Sequence, residues 1–326
     1  MVKQKKISAK DLVEANQSQI PSSSAYHTPV LLQEAIEALV IKPGGIYVDC
    51  TFGGGGHSKA ILERLGPGGK LVAFDQDAAA KENVPADARI LFIPQNFRHL
   101  QRFLKLHNIP GVDGILADLG VSSHQFNEAE RGFSTRYDAD LDMRMDQRQP
   151  LTAFNVVNTY SEQQLHKIFE QYGEVTNAKT LAKTIVQQRD HVSFKTIEGF
   201  KNSLREIVKG NPNKYFAQVF QALRIEVNDE MGALKEMLQQ TPAVLNPGGR
   251  VAIITFHSGE DRVVKTFFKN ESFDEPDENP FSRETRERKL KVITKKPLVP
   301  SQEETKRNPS SRSAKLRVAE KINTNP

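Results

Sequence analysis

IYVDCTFGGGGHSKAILERL, residues 46–65, joins a short apolar run to a helical pattern through four consecutive glycines. We predict a strand over 46–50 and a helix over 58–65. An apolar run of this kind is typical of a strand whose two faces are both covered by helices. The glycines let a ligand approach the backbone, and the helix start offers free N–H groups. The stretch predicts a β-α unit with a ligand site at its turn, a merely flexible connector being the alternative.

Four more apolar runs follow along the chain, separated by turns or by helical periodicity. The predicted strands cover residues 70–75, 88–93, 113–120 and 250–256. A Pro-Gly-Gly turn precedes the first and the last of these four runs. Alternating strands and helices with right-handed crossovers give a doubly wound α/β fold. We therefore predict a Rossmann-like parallel sheet.

The alternation stops between residues 138 and 215, where only helical patterns follow. One of them begins with Ser161 as the expected cap, has Gln164 three residues later, and ends at Gly173. We predict an all-helical insertion in the sheet domain. The predicted divisions are a flexible leader (1–24), a first core part (25–137), the helical insertion (138–215), a second core part (216–270) and a basic C-terminal segment (271–326).

Composition limits the class of protein. The chain has 326 residues, a formal net charge of +5 and a single cysteine, Cys50. One cysteine excludes an internal disulfide framework and a cysteine-rich metal cluster, and it fits a reducing cytoplasm. No apolar run approaches the roughly 18 residues of a membrane span, and the N-terminus does not resemble a secretory signal. We predict a cytoplasmic protein without a metal site.

Positive charge is concentrated near residues 283–296 and again within 305–317. Such segments can contact phosphate groups, which gives affinity without sequence selectivity. A solvated surface helix or a disordered tail explains the same charge equally well. Charge alone therefore leaves the role of the C-terminal segment open.

Polar and aromatic residues follow the predicted strands, at the edge of an open α/β sheet where ligands bind. Asp75 ends the second strand about twenty residues beyond the glycines, where a carboxylate can accept both hydroxyl protons of a ribose. A helix cap is the alternative role for Asp75. Phe97 follows the third strand and can pack against an adenine or belong to the core.

Asp118 ends the fourth strand, at the position nearest the transferred group in such folds. It can bind a cofactor amino group or orient an acceptor, and a simple Asp-Gly turn is the alternative. Ser122, Ser123 and Gln125 are close enough in sequence to share its pocket. These residues alone do not separate S-adenosylmethionine from a dinucleotide. Ser58 stands where GxGxxG requires its third glycine, which weakens the nicotinamide interpretation.

Several longer motifs occur in the order found in one family. They are HTPVLL (27–32), DCTFGGGGHS (49–58), DGILADLGVSS (113–123), ERGFS (130–134) with DLDMRMD (140–146), NPGGRVAIITFHSGEDRVVK (246–265) and NPSSRSAKLRVAE (308–320). Together they resemble the bacterial 16S ribosomal RNA cytosine methyltransferases, the MraW family, between Tyr26 and Lys321. The number and the order of these long motifs make the resemblance specific.

The resemblance implies that S-adenosylmethionine is the cofactor. It also implies methylation of the 4-amino group of a cytidine in the decoding region of 16S rRNA, as free RNA or in the small ribosomal subunit. The cofactor-binding residues that it implies are Gly55, Gly56, His57, Asp75, Phe97, Asp118 and Gln125. Two features depart from the family, because Gly259 replaces a usual leucine and the N-terminal leader is longer.

An amine acceptor of cytosine type needs a hydrogen-bond acceptor and a proton acceptor, because its lone pair is delocalised into the ring. Many amino methyltransferases use a Pro-Pro-Tyr loop after the fourth strand, but here that loop reads DLGVSS (118–123). His257 can also approach the pocket, although Ser258 beside it is the expected cap of the following helix. The catalytic candidates are therefore Asp118, Ser122, Ser123 and His257.

Candidate RNA contacts lie in two regions. Arg144 in DLDMRMD can contact an RNA phosphate or form a structural salt bridge. The C-terminal candidates are Arg283, Arg286, Arg288 and Lys289, and we expect their joint replacement by alanine to weaken RNA binding and reduce its salt dependence. Two other function classes stay open, a nicotinamide oxidoreductase and a non-catalytic RNA-binding assembly factor.

Overall fold

The computed structural model describes residues 29–273 and 287–323. The predicted leader, Arg283 and Arg286 lie outside these ranges. Within them the strands are β1 (Ile46–Asp49), β2 (Lys70–Phe74), β3 (Ile90–Ile93), β4 (Val112–Asp118), β5 (Leu245–Thr255), β6 (Leu290–Val292) and β7 (Lys315–Lys321). The α-helices are α1 (Leu32–Leu39), α2 (Gly56–Arg64), α3 (Leu100–Leu106), α4 (Ser123–Asn127), α5 (Ala153–Thr159), α6 (Glu162–Gln171), α7 (Ala178–Arg189), α8 (Ile197–Ser203), α9 (Pro212–Asn228), α10 (Glu230–Val244), α11 (Ser258–Asn270) and α12 (Gln302–Arg307).

The strands form one mixed sheet in the order β3-β2-β1-β4-β5-β7-β6. The five predicted strands β1 to β5 are parallel, whereas β7 is antiparallel to β5 and β6 is antiparallel to β7. Asp49 at the end of β1 pairs with Ala73 of β2 and with Leu116 of β4. This register brings the carboxyl ends of the three strands together, and the predicted doubly wound α/β sheet is confirmed.

Two strands, β6 and β7, lie in the predicted basic C-terminal segment, whose role charge alone left open. β7 buries Leu316 and Val318 in the core, and β6 buries Leu290. The sequence pattern did not predict β7, because its basic residues resemble those of a solvated tail. In the structure a carboxylate neutralises the charge of one of them. Arg317 is only 6% exposed and its Nε lies 2.6 Å from Oδ1 of Asp261 in α11. Arg317 is thus a structural residue, and the phosphate-contact interpretation of 305–317 is wrong for it.

Helices cover both faces of the sheet. On one face, Leu39 of α1 and Ile61 of α2 belong to the apolar cluster that packs against the strands. On the other face, Leu104 of α3, Met237 of α10 and Phe267 of α11 form the corresponding layer. Among the described helices, none combines the length and apolarity needed to cross a membrane. The two apolar layers explain why the strands read as nearly continuous apolar runs.

Helices α5 to α9 build a separate apolar core between β4 and β5 of the sequence. As predicted, Ser161 caps α6 and exchanges hydrogen bonds with Gln164 in a capping box. The buried side chains of this helical unit extend from Phe133 to Val227. Most of α9 therefore packs into the helical unit, beyond the limit at residue 215 that the sequence pattern suggested. A left-handed Asp229, with φ 45°, separates α9 from α10.

The bond between Arg317 and Asp261 yields a stability prediction. Arg317→Ala should lower the free energy of unfolding by about 3 kcal/mol, because it removes one partner of a buried pair. Arg312→Ala is the matched control, since Arg312 is exposed on the same segment, and it should change stability by less than about 0.5 kcal/mol. Urea unfolding followed by circular dichroism measures both variants, and equal losses would contradict the structural role of Arg317.

Candidate active site

A cavity lies at the carboxyl ends of β1, β2 and β4. Five residues predicted from the sequence line it together, namely Asp75, Phe97, Asp118, Ser122 and Gln125. Gly53 lines it too, whereas the candidates Gly55, Gly56, His57 and His257 lie outside its lining. Ser123 is the first residue of α4, next to the lining residue Ser122. The sheet edge therefore gathers most of the predicted site in one place.

The glycine turn needs glycine for two separate reasons. Gly53 and Gly55 have φ angles of 51° and 76°, in the left-handed region that side chains rarely adopt. Gly56 is constrained by space instead, because a Cβ atom there would lie 2.2 Å from Cγ of Pro29. The backbone N–H of Gly53 is directed at Asp75 Oδ2 over 2.7 Å. The turn thus fixes the second strand tip relative to the first.

His57 is buried next to Asp118, outside the lining of the cavity. Its side chain is buried, its Nε2 lies 3.1 Å from the carbonyl oxygen of Val30, and its Nδ1 lies 3.6 Å from Asp118 Oδ2. Burial lowers the pKa of His57, against the opposing charge of Asp49. Since a carbonyl can only accept, the neutral ring carries its proton on Nε2 and presents the Nδ1 lone pair towards Asp118. In this tautomer His57 borders Asp118 but donates no hydrogen bond to its ionised carboxylate.

Asp75 is held by backbone donors at the tip of β2. Gly53 donates to Oδ2 at 2.7 Å and Asp77 donates to Oδ1 at 2.8 Å. Burial raises the pKa of Asp75 to about 6, although these two hydrogen bonds oppose the rise. The helix-cap role considered for Asp75 belongs to Asp77, which accepts the N–H of Ala79. Asp75 keeps lone pairs that face the cavity, as recognition of a ribose diol requires.

Phe97 and Gln125 form further parts of the wall. Phe97 lines the cavity and also packs on the sheet core, so its core role is present and its contact with an adenine stays a prediction. Gln125 completes a capping box with Ser122 at the start of α4, and its Nε2 donates to Asp77 Oδ2 at 2.8 Å. Arg131 reaches the same Asp77 oxygen at 3.0 Å. These contacts tie the wall to the ERGFS segment of the helical unit.

Asp118 is the least satisfied acid in the cavity. Its Oδ1 is buried and accepts no hydrogen bond from any described residue. Burial, followed by the charges of Asp49 and Glu260, raises the pKa of Asp118 well above its usual range. A buried acceptor without a partner is costly unless a ligand supplies one. Its position on the cavity wall leaves this oxygen available to a donor from a bound molecule.

Sequence reasoning missed Glu260, which is 2% exposed and lines the cavity. His257, and not the expected Ser258, caps α11, and its Nε2 lies 3.2 Å from Glu260 Oε1. Burial alone would raise the pKa of Glu260. The hydrogen bond and charge of His257, together with the charge of Arg224, outweigh burial and hold that pKa below its ordinary value. The capping-box spacing of His257 and Glu260, directly after β5, was the sequence signal that could have placed Glu260 at this edge of the sheet.

Gly259 lies between these two residues in the chain. A Cβ atom at position 259 would approach His257 Nδ1 to 3.1 Å, which is tighter than ordinary contact. The glycine therefore leaves room for the imidazole ring at the helix start. Its φ angle is outside the positive region, so the position does not demand glycine on backbone grounds. The glycine that replaces the usual leucine of the family therefore affects the space around His257, which does not line the cavity.

The candidate RNA contacts have different surroundings. Arg144 makes two bonds to the Asp142 carboxylate, at 2.8 and 2.7 Å, and its Nη1 donates to the carbonyls of Gln147 and Gln149. The structural salt bridge considered for Arg144 is thus present and occupies most of its donors. Arg288 and Lys289 are exposed just before β6, at the far edge of the sheet from the cavity.

The charge of the cavity selects its ligand. Within the described residues, the lining contains four carboxyl side chains, Asp75, Asp118, Glu230 and Glu260, and no basic one. A nicotinamide dinucleotide would bring a negatively charged pyrophosphate to this wall, whereas S-adenosylmethionine, with a sulfonium, an ammonium and one carboxylate group, carries a net positive charge. Antiparallel β7 also differs from the parallel strand order of dinucleotide folds. The fold and the cavity define an α/β methyltransferase that uses S-adenosylmethionine.

Comparison with known proteins agrees with this class. The chain belongs to the MraW methylase family, whose sequence pattern matches residues 24–322. It is 54% identical over 299 residues to the ribosomal RNA small subunit methyltransferase H of Flavobacterium johnsoniae, covering 91% of this chain and 98% of that protein. The protein of the same name from Christiangramia forsetii is 52% identical over 302 residues, with 91% and 98% covered.

A solved structure gives a weaker likeness. The structure described as a putative rRNA methylase from Clostridium thermocellum aligns with 12% identity and a TM-score of 0.43. The alignment covers 90% of this chain and 98% of that one. The family assignment rests on the sequence matches and not on this alignment.

The pKa of Asp75 predicts how cofactor affinity depends on pH. An ionised carboxylate can accept both hydroxyl protons of a ribose, so a ribose-binding role for Asp75 predicts that binding of S-adenosylhomocysteine favours the charged form and weakens as the pH falls through about 6. We expect the association constant to fall by up to about tenfold per pH unit below that value. Titration calorimetry between pH 7.5 and 5 measures the effect.

Asp75→Asn is the control for this titration, because it keeps the shape of the side chain and removes its proton equilibrium. The variant should bind more weakly at pH 7.5 and show a flatter profile. Asp118 also has a raised pKa, so the difference between the two profiles isolates Asp75. Parallel profiles for wild type and Asp75→Asn would remove Asp75 from cofactor recognition.

Proposed function

We propose that this protein transfers a methyl group from S-adenosylmethionine to the 4-amino group of a cytidine in the decoding region of 16S rRNA. Its partner is then 16S rRNA or the small ribosomal subunit, and its place is the cytoplasm. The names of the two relatives, at 54% and 52% identity over nearly their full length, support the RNA substrate. The acidic cavity, with the unpartnered Oδ1 of Asp118, supports an amine acceptor.

The cofactor site supports this proposal through charge. S-adenosylmethionine, when bound, supplies an electrophilic methyl group on a sulfonium. Asp75 is placed to bind the ribose hydroxyls and Phe97 to pack on the adenine. Glu260, kept anionic by His257 and Arg224, adds negative charge to the wall. These residues hold and orient a cation, and the ring of Phe97 helps to exclude water.

Asp118 is the residue best placed to act on the acceptor. Methyl transfer forms an N–C bond while an S–C bond breaks, and the cytosine amine must then release one proton. A carboxylate that accepts a hydrogen bond from the amine favours its reactive geometry and can collect that proton. The raised pKa makes the Asp118 carboxylate a stronger base, and a cation bound nearby favours its ionised form. Asp118 can instead bind the cofactor amino group, and two measurements on the variant below separate these roles.

The Asp118→Asn variant tests this role. It keeps the size of the side chain but cannot collect a proton, so the rate of methyl transfer should fall by about 10²- to 10⁴-fold. Calorimetry with S-adenosylhomocysteine provides the second readout. If Asp118 serves the acceptor, affinity stays within about threefold of wild type; a proportional loss of affinity and rate would instead assign Asp118 to the cofactor. Wild-type activity in the variant would refute both roles.

The nature of the substrate is tested by nucleoside mass spectrometry. Small subunits from cells that lack this protein should lose one N4-methylated cytidine, and purified protein with S-adenosylmethionine should restore it. A methyl group appearing on a ribose oxygen or on cytosine C5 would contradict the proposed acceptor. No transfer to any RNA, with normal cofactor binding, would favour the non-catalytic assembly factor.

A further inference from the structure

A second groove borders the cofactor cavity. The segment 119–122 lines both, with one side on the cavity and the other on this groove, which we call the acceptor groove. Its other walls include Phe126 of α4, Phe256 after β5, and Arg136. Pro309 of the C-terminal segment also contributes. A molecule in the acceptor groove is thus separated from the cofactor by one short loop beside Asp118.

The acceptor groove presents an aromatic surface to solvent. Phe126 is 36% exposed although it is a large apolar side chain, and the guanidinium carbon of Arg136 lies 5.6 Å from the centre of its ring. Exposed aromatic rings and arginine planes are the surfaces on which single-stranded RNA bases stack. Phe126 and Arg136 have no comparable role in the apolar cores of the protein.

Arg136 also lines a third groove, on the helical unit, which we call the basic groove. Tyr137, Lys201, Arg205 and Phe216 line it as well. Tyr137 is 51% exposed, and Lys201 Nζ lies 5.8 Å from the ring centre of Phe216. Aromatic rings alternate with cations here, as they do in the acceptor groove. Arg136 connects the two grooves into one continuous surface.

The charges of the basic groove favour a phosphate-bearing occupant. Within the part of the chain that the structure describes, neither Arg136 nor Arg205 forms an ion pair with a carboxylate. Asp138 and Glu198 also line the groove, so its three cations exceed its carboxylates by one, and Asp138 accepts the backbone N–H of Glu198. Both guanidinium groups are exposed and face solvent. Their complement is an anion with more than one charge along its length.

We propose that a single-stranded RNA segment binds along these two grooves. The acceptor groove takes the nucleotide that flanks the methylated one, whose own base extends past the 119–122 loop to Asp118 in the cofactor cavity, and the basic groove takes the phosphate and base of a further nucleotide. Arg136 lies at the junction and serves both. This proposal rests on the proposed function for the identity of the acceptor base, but the grooves predict RNA binding whether or not that base is a cytosine.

The test compares exposed residues inside and outside the grooves. Phe126→Ala removes the stacking surface, and Arg136→Ala and Arg205→Ala remove one cation each. Lys179→Ala is the control, because Lys179 is exposed on α7 of the same helical unit and lines neither groove. Binding is measured by fluorescence anisotropy with a labelled single-stranded RNA of about ten nucleotides that contains cytidine, and methyl transfer is measured with small subunits.

Each groove variant should weaken RNA binding and raise KM for the small subunit by about tenfold, within the range that loss of one stacked base gives. Arg136→Ala and Arg205→Ala should also reduce the slope of log affinity against log salt by about 1. Affinity for S-adenosylhomocysteine should not change. Lys179→Ala should leave RNA affinity and KM within about twofold of wild type.

The outcomes separate this inference from the proposed function. If wild type methylates cytidine and the groove variants keep its RNA affinity and KM, the path through these grooves is wrong and the proposed function stands. If the variants lose RNA binding while wild type transfers no methyl group to cytidine, the grooves stand and the proposed function fails. Phe126→Tyr keeps an aromatic ring and should retain binding, whereas a loss equal to that of Phe126→Ala would contradict stacking.

Discussion

Burial of several carboxyl groups at one sheet edge is the constraint on which the rest of the site depends. Asp49 and Asp118 end neighbouring parallel strands and Asp75 directly follows the next one, where little water reaches them, so each needs donors or a counter-charge. The protein satisfies Asp49 with Ser58 and Thr51, and Asp75 with backbone N–H groups. It leaves Asp118 Oδ1 without a described donor. An acidic wall completed by a cation follows from this arrangement.

The helical unit is connected to the cavity by polar contacts. Asn228, at the end of α9, receives the N–H of Met145 and donates to the carbonyl of Met143, which has a positive φ of 63°. Arg131 donates to the carbonyls of Arg144 and Met145 and also pairs with Asp77. The DLDMRMD loop is held between the two units, and Met145 forms part of the cavity wall. The helical unit and the cofactor cavity therefore share one set of supports.

The C-terminal segment has a similar connecting role. β7 lies between β5 and β6, and Glu304 of α12 accepts the N–H of Leu31 just before α1. Residues 308–310 then reach the acceptor groove. Segments distant in sequence thus complete both the sheet and the surface where an acceptor would bind. This role accounts for a family motif as late as residues 308–320.

The sequence by itself determined the parallel strands, the helical insertion and the residues at the strand tips, because apolar periodicity and glycine conformation are local properties. It indicated Asp75, Phe97, Asp118 and Gln125, since strand ends in such sheets meet at one edge. Only the tertiary structure decided that Arg317 is a buried ion-pair partner, that Glu260 joins the cavity, and that Arg136 connects two grooves. In the sequence a charged residue looks the same whether it belongs to a solvated tail, a buried ion pair or a binding surface. Its role depends on partners that only folding brings together.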